Sequence, residues 1–137
     1  AALQFTSGPL CSLSMSCASY AGIGHRIEFF GEDGTLVLHN PGADYMRGFE
    51  LTLAKRPGAA EPIPVTDPDD AQYPDGRIAP VSRLAKQFFD AIETGRQTAP
   101  GFAEGYRVQR MIDAAQRSNR LGQWIDFAAE DAVEKQI

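Results

Sequence analysis

No stretch of this chain is apolar for the roughly 20 residues that a membrane-crossing helix requires, so no membrane span is expected. Cysteine is scarce: Cys11 and Cys17 are the two in 137 residues, too few to staple a fold. If both sit on one extended strand, six residues span about 20 Å, against a Cα separation below ~7 Å in a disulfide. They are therefore expected as buried thiols of a cytoplasmic protein. Histidine is equally scarce, and His39, in a turn before Asn40-Pro41, has no cysteine or carboxylate at ligand spacing, so no metal site is expected. Basic clusters are missing too. The 13 Lys and Arg are scattered among 18 Asp and Glu, for a net charge of -5, which leaves no footprint for nucleic acid. The basic, apolar, small-residue order of a secretory signal is also absent from the N-terminus.

What remains is a globular composition, 43 % hydrophobic, enough to form a core. Ala1-Ala2-Leu3-Gln4-Phe5 already alternates as a strand does, which is expected of a segment continuing a larger protein. After a turn at Thr6-Ser7-Gly8-Pro9, residues 10–19 alternate cleanly. Cys11, Leu13, Met15 and Cys17 fall on one face, and Ser12, Ser14 and Ser16 on the other. The spacing predicts one long strand there. Further strands are predicted over His25–Phe30, Thr35–His39 and around Phe49, Leu51 and Leu53. Gly31-Glu32-Asp33-Gly34 reads as a four-residue hairpin connection, and Asn40-Pro41-Gly42 as a turn. Glu61–Thr66 reads as an edge strand, since proline is tolerated only at a sheet edge.

Two helices follow. Val81, Leu84, Ala85, Phe88 and Ile92 recur at helical spacing, with Pro80 in the first turn and Gly95 as the stop. A second helix is predicted over Phe102–Leu121, stopped by Gly122. Trp124–Phe127 alternates as a last short strand, and residues 128–137 read as a tail, frayed helix or disordered. Antiparallel strands followed by helices make an α+β two-layer sandwich: an open, mainly antiparallel sheet with the helices packed on one face. The serine face, with Arg26, Glu28 and Phe30, would look outward.

The run His25-Arg26-Ile27-Glu28-Phe29-Phe30-Gly31-Glu32-Asp33-Gly34-Thr35-Leu36 resembles a hairpin of the Gfo/Idh/MocA oxidoreductases. Leu84 to Gly95 is similar to that family's F-x-D-A-I-x-T-G segment. Phe102 to Gly122 is similar to its closing helix, and Trp124–Phe127 to its last strand. No single block is specific, but four in order over residues 1–127 are. The resemblance implies a single C-terminal substrate and oligomerisation domain, with the N-terminal Rossmann domain absent. The parent enzyme would use NAD or NADP, bound by that missing domain, to oxidise or reduce a sugar or polyol. The resemblance also implies a homo-oligomer formed through the outward sheet face.

No catalytic or cofactor-binding residue can be carried over. Gly22-Ile23-Gly24 lacks the third glycine of a dinucleotide loop and follows a strand without opening a helix. The segment alone is thus expected to be inactive. His25, at a strand start beside a glycine-rich loop, and Arg83, near a helix start, are the substrate-side candidates; a solvated role is the plain alternative for each. Ser12, Ser14, Ser16, Arg26, Glu28 and Phe30 are the interface candidates. Arg26 and Glu28 share a face and are expected in a cross-strand or cross-subunit ion pair. Asp67, Asp69 and Asp70 lack the glycine and closing glutamate of a calcium loop and read as a solvated turn. The alternative to an oxidoreductase domain is a free-standing, non-enzymatic module that dimerises through its sheet and binds a small ligand or a protein.

Overall fold

The computed structural model describes residues 1–69 and 72–127. Its contacts divide the chain into two units, Ala1–Ser16 with Ala91–Ile137, and Cys17–Asp90. Antiparallel strands come first and helices last, so the α+β class expected from the sequence holds.

In the first unit, β1 (Ala2–Gln4) and β2 (Leu10–Ser12) form a two-stranded antiparallel sheet. The turn between them is closed by Gly8 N–H donating to the Phe5 carbonyl at 2.9 Å. The long strand expected over residues 10–19 is cut short at Ser12. A strand persists only while it has a partner, and this ladder ends where the Ala1 amine and the Leu13 amide exchange bonds of 2.7 and 2.8 Å. Beyond that point the alternation has nothing to pair with, and Leu13 and Met15 are exposed.

Helix α2 (Phe102–Leu121) has the bounds read from the sequence. The Glu104 carboxylate accepts the Gly101 N–H at 2.8 Å, one arm of a capping box; glycine has no side chain for the other arm. Gly122 ends the helix at φ 66° and returns its N–H to the Ser118 carbonyl at 2.8 Å. The expected strand at Trp124–Phe127 is not formed, for Trp124, Ile125 and Asp126 lie outside any strand. The Ser118 hydroxyl donates to the Gln123 carbonyl at 2.7 Å, and the Arg110 guanidinium lies 4.5 Å from the Phe127 ring centroid. The segment is thus held by helix side chains, and among the described residues it pairs with no strand. The tail, residues 128–137, lies outside the described residues.

The second unit carries a four-stranded meander in the order β3 (His25–Gly31), β4 (Gly34–Asn40), β5 (Glu50–Lys55) and β6 (Ala60–Ile63). The β3–β4 hairpin is tighter than expected, because Gly31 pairs with Gly34 and leaves Glu32-Asp33 as a two-residue loop. The edge strand β6 comes one residue earlier than Glu61 and stops at Ile63. Register sorts the side chains by face. Ile27, Leu38, Leu51 and Ile63 make one row, and Phe29, Leu36 and Leu53 the next, all on one face. The other face carries Arg26, His39 and Glu50, then Glu28, Val37 and Thr52, then Phe30, Thr35 and Ala54. The inner strand β4 is half-buried, whereas every residue of β3 is exposed, Phe29 to 61 %. The apolar face is therefore open at β3, where burial had been expected, because an edge strand has a neighbour on one side alone.

Helix α1 (Ile78–Thr94) begins earlier than its apolar stripe. The Asp75 carboxylate accepts the Arg77 N–H at 2.9 Å, and the Asp75 carbonyl accepts that of Ile78 at 3.1 Å. Pro80 then falls in the first turn, where its missing N–H costs nothing. Gly95 stops the helix at φ 66°.

Candidate functional site

The second unit gathers its polar side chains where the β4–β5 loop meets the segment leading into α1. Asn40, 1 % exposed, organises the first loop. Its Nδ2 donates to the carbonyls of Asp44 at 2.6 Å and Arg47 at 2.7 Å, and its Oδ1 accepts the Gly42 N–H at 2.9 Å. Arg47, so fixed, reaches across the second loop. Its guanidinium donates to the carbonyls of Tyr73 at 2.5 Å and Pro74 at 3.0 Å. Gly76 lies flat against the Arg47 stem, where a Cβ would come within 3.1 Å of it.

Arg77 grips Asp75 with bonds of 2.6 to 3.1 Å and interacts with Tyr45. Those side-chain bonds, followed by the Arg77 backbone N–H, hold the Asp75 carboxyl down at about 2, against an ordinary 3.8. A depressed carboxylate contributes stability above its unfolded value and loses it as pH falls through the folded one. The turn before α1 is thus expected to hold down to pH 4 and open between about 4 and about 2. In an NMR acid titration the Arg77 amide should report a midpoint near 2, and Asp75→Asn should abolish that titration. A midpoint near 4 would show that the grip is absent in solution.

Arg83 does not stand free on the helix surface. Its guanidinium forks onto Asp67 at 2.8 and 3.1 Å and reaches Asp69 at 2.9 Å. Hydrogen bonding to Arg83 comes first among the causes that lower the Asp67 pKa, and bonding to Asp67 raises that of Arg83. The aspartates that resemble a calcium loop thus serve as counter-ions; Asp70 lies outside the described residues. Beside this clamp is a cavity of about 220 Å³ lined by Asp69, Gln72, Tyr73, Ala79, Ser82, Arg83 and Lys86. Lys86 is paired with Asp90 at 2.8 Å. Both cations of the cavity are therefore neutralised, and its remaining groups are hydroxyls and an amide.

The second substrate-side candidate, His25, does not line that cavity. It opens β3 opposite Asn40 with its ring 6.2 Å from that of Phe49. His39 Nε2 donates to the Ile23 carbonyl at 2.9 Å. Of the interface candidates, Arg26, Glu28 and Phe30 share one face of β3. Arg26 and Glu28 pair along the strand at 2.7 Å, so within the chain the expected cross-strand pair is an i,i+2 pair. Phe30 is 76 % exposed. Ser12 is the last residue of β2, while Ser14 and Ser16 lie beyond it. Cys11 and Cys17 are free thiols, Cys17 exposed rather than buried as expected. Among the described residues no three His, Cys, Asp or Glu come together as metal ligands. Asn40, Arg47 and Asp75 escaped the sequence reading. Their only signal was the turn chemistry of Asn-Pro-Gly and Pro-Asp-Gly, which does not separate a buried loop organiser from a solvated turn.

The described residues do not fit a dinucleotide. Pyrophosphate needs a glycine-rich loop opening onto free amides at a helix N-terminus. Gly22-Ile23-Gly24 runs straight into β3. The Gly101 amide at the start of α2 is already taken by the Glu104 carboxylate, and a carboxylate there repels an anion. No helix among the described residues is long and apolar enough to cross a membrane.

Comparison with known proteins agrees with the fold. Residues 1–127 match the C-terminal alpha/beta domain of an oxidoreductase family, Gfo/Idh/MocA, and the chain belongs to that family. It is 28 % identical over 120 residues to an uncharacterised oxidoreductase of Synechocystis, covering 84 % of this chain and 32 % of that protein. It is 26 % identical over 141 residues to glucose-fructose oxidoreductase domain-containing protein 2 of Xenopus tropicalis, covering 89 % and 35 %. The chain thus spans about a third of the length of these relatives. No solved structure matches it.

Proposed function

We propose that this chain is the substrate-side and oligomerisation domain of a cytoplasmic NAD(P)-dependent oxidoreductase acting on a sugar, a polyol or a related hydroxy compound. The observation that carries the reading is the family match over residues 1–127. The cofactor is held by a Rossmann domain outside this chain, and hydride transfer needs that domain. The poor fit of the described residues to a dinucleotide supports this division of labour. Arg83, with Gln72, Tyr73 and Ser82, forms one wall of the substrate site. Its cavity of about 220 Å³ is smaller than the roughly 300 Å³ of pockets that enclose a ligand by themselves, as befits one wall of two. The domain associates with a second copy through its β-sheet.

Calorimetric titration of the 137-residue chain with NAD and NADP, beside the longer protein containing it, tests the division. The expected result is no heat of binding from the chain and saturable binding by the longer protein. Micromolar binding by the chain itself would overturn the reading.

A further inference from the structure

The cavity beside α1 is lined entirely by residues of the second unit, and its charges are bound in a definite order. Asp67 holds two partners at once. Its carboxylate accepts the Arg83 fork at 2.8 and 3.1 Å and the Asp69 backbone N–H at 3.0 Å. Asp69, placed by that turn, accepts Arg83 Nη1 at 2.9 Å through Oδ2, and its carbonyl accepts the Gln72 N–H at 3.1 Å. Three residues further along α1, Lys86 donates to Asp90 at 2.8 Å. These pairs set two cations, Arg83 and Lys86, against three carboxylates, Asp67, Asp69 and Asp90. Arg47, which reaches the same loop, gives its guanidinium to the Tyr73 and Pro74 carbonyls. The other polar side chains of the lining are the Gln72 amide and the Tyr73 and Ser82 hydroxyls, which both donate and accept.

We propose that this balance makes the cavity select an uncharged polyhydroxyl group and reject one that carries a carboxylate or phosphate, with Asp69 and Asp90 setting the selection. The inference rests on the reading of this cavity as one wall of the substrate site and names the charge of what that wall accepts. A hydroxyl donates and accepts, so it meets carboxylate, amide and hydroxyl alike without disturbing an ion pair. An anion has to draw Arg83 from two carboxylates, or Lys86 from one, and then faces those carboxylates at short range. Forked arginine–carboxylate bonds are the strong kind, and opposed or unpaired charges are how a site turns a wrong ligand away. The bond from the Asp69 amide to Asp67 adds a backbone tether, so the clamp swings aside only by opening its own turn.

Saturation-transfer NMR titration of the longer protein containing this chain, with NAD and NADP present, measures the selection. Two matched pairs serve as probes, glucitol with gluconate and glucose with glucuronate. Within each pair a terminal CH2OH is replaced by a carboxylate. The neutral member of each pair is expected to bind about tenfold more tightly or better. Asp69→Asn and, separately, Asp90→Asn should each raise the affinity for the anions about threefold or more. Asp90 is exposed on the helix, so its variant keeps the fold even where the loop variant does not. Ser82→Trp, at an exposed position that lines the cavity, fills it and should abolish binding. Anions that bind as tightly as their neutral partners, with both lost in Ser82→Trp, overturn the selection and keep the wall. A neutral preference that neither aspartate variant changes also overturns the selection alone. Binding that survives Ser82→Trp, or no binding of any of the four probes, overturns the wall and the selection together.

Discussion

Gly24→Ala is expected to destabilise this protein more than any other single-methyl change. The residue sits at φ 76°, in the left-handed region, just before β3. A Cβ built there overlaps the Asn40 carbonyl oxygen and comes within 2.9 Å of the Pro41 Cα. Left-handed backbone costs an L-residue about 1–2 kcal/mol, and a fixed clash against backbone adds roughly 1–3 kcal/mol. The sum, about 2–5 kcal/mol, is a large part of a small domain's stability. Gly95→Ala is the control: φ is 66°, left-handed as well, but nothing lies within 4 Å of the added carbon, so the backbone cost alone, about 1–2 kcal/mol, is expected. Urea unfolding of both variants separates backbone strain from overlap. Equal losses would show that Gly24 has room the structure does not give it.

Asn40→Ala should cost nearly as much by another route. Removing its side chain leaves the Gly42 N–H and the Asp44 and Arg47 carbonyls without the partner that Asn40 supplies. At roughly 0.5–1.5 kcal/mol for each net bond, the expected loss is about 2–4 kcal/mol. Asn40→Asp is no remedy, since a carboxylate would face two carbonyl oxygens where a donor is required. Because the Arg47 carbonyl is one of the acceptors, loosening it also frees the guanidinium that ties the loop to Tyr73 and Pro74. Hydrogen exchange should therefore quicken in both loops, not in residues 41–48 alone. A loss under 1 kcal/mol, or exchange that quickens in the first loop only, would count against Asn40 as the organiser. Gly24 and Asn40 touch, so their combined effect should fall short of the sum.

The sequence by itself determined the elements whose signals are local. Helix α2 ends where its glycines and Glu104 place its ends, and the β3–β4 hairpin turns within the four residues read as its connection, Gly31 pairing with Gly34 around Glu32-Asp33. In each case the residues that decide lie within four positions of the element they bound. The four ordered blocks likewise sufficed for the family. Tertiary structure decided whatever depends on a distant partner. Residues 13–19 alternate as well as β3 does, yet alternation states only which face a side chain takes, not whether a neighbouring strand exists, and β2 stops at Ser12. Trp124–Phe127 failed as a strand for the same reason. The Arg83 clamp joins residues 14 and 16 positions apart, and the Arg47 strap joins residues 26 and 27 apart. Charge composition shows that such pairs can form; only the folded loops decide which do. Asn40 is the clearest instance. Before Pro41-Gly42 it reads as an ordinary turn residue, and it becomes a buried hub because its loop folds back so that Gly42, Asp44 and Arg47 take up its side-chain bonds.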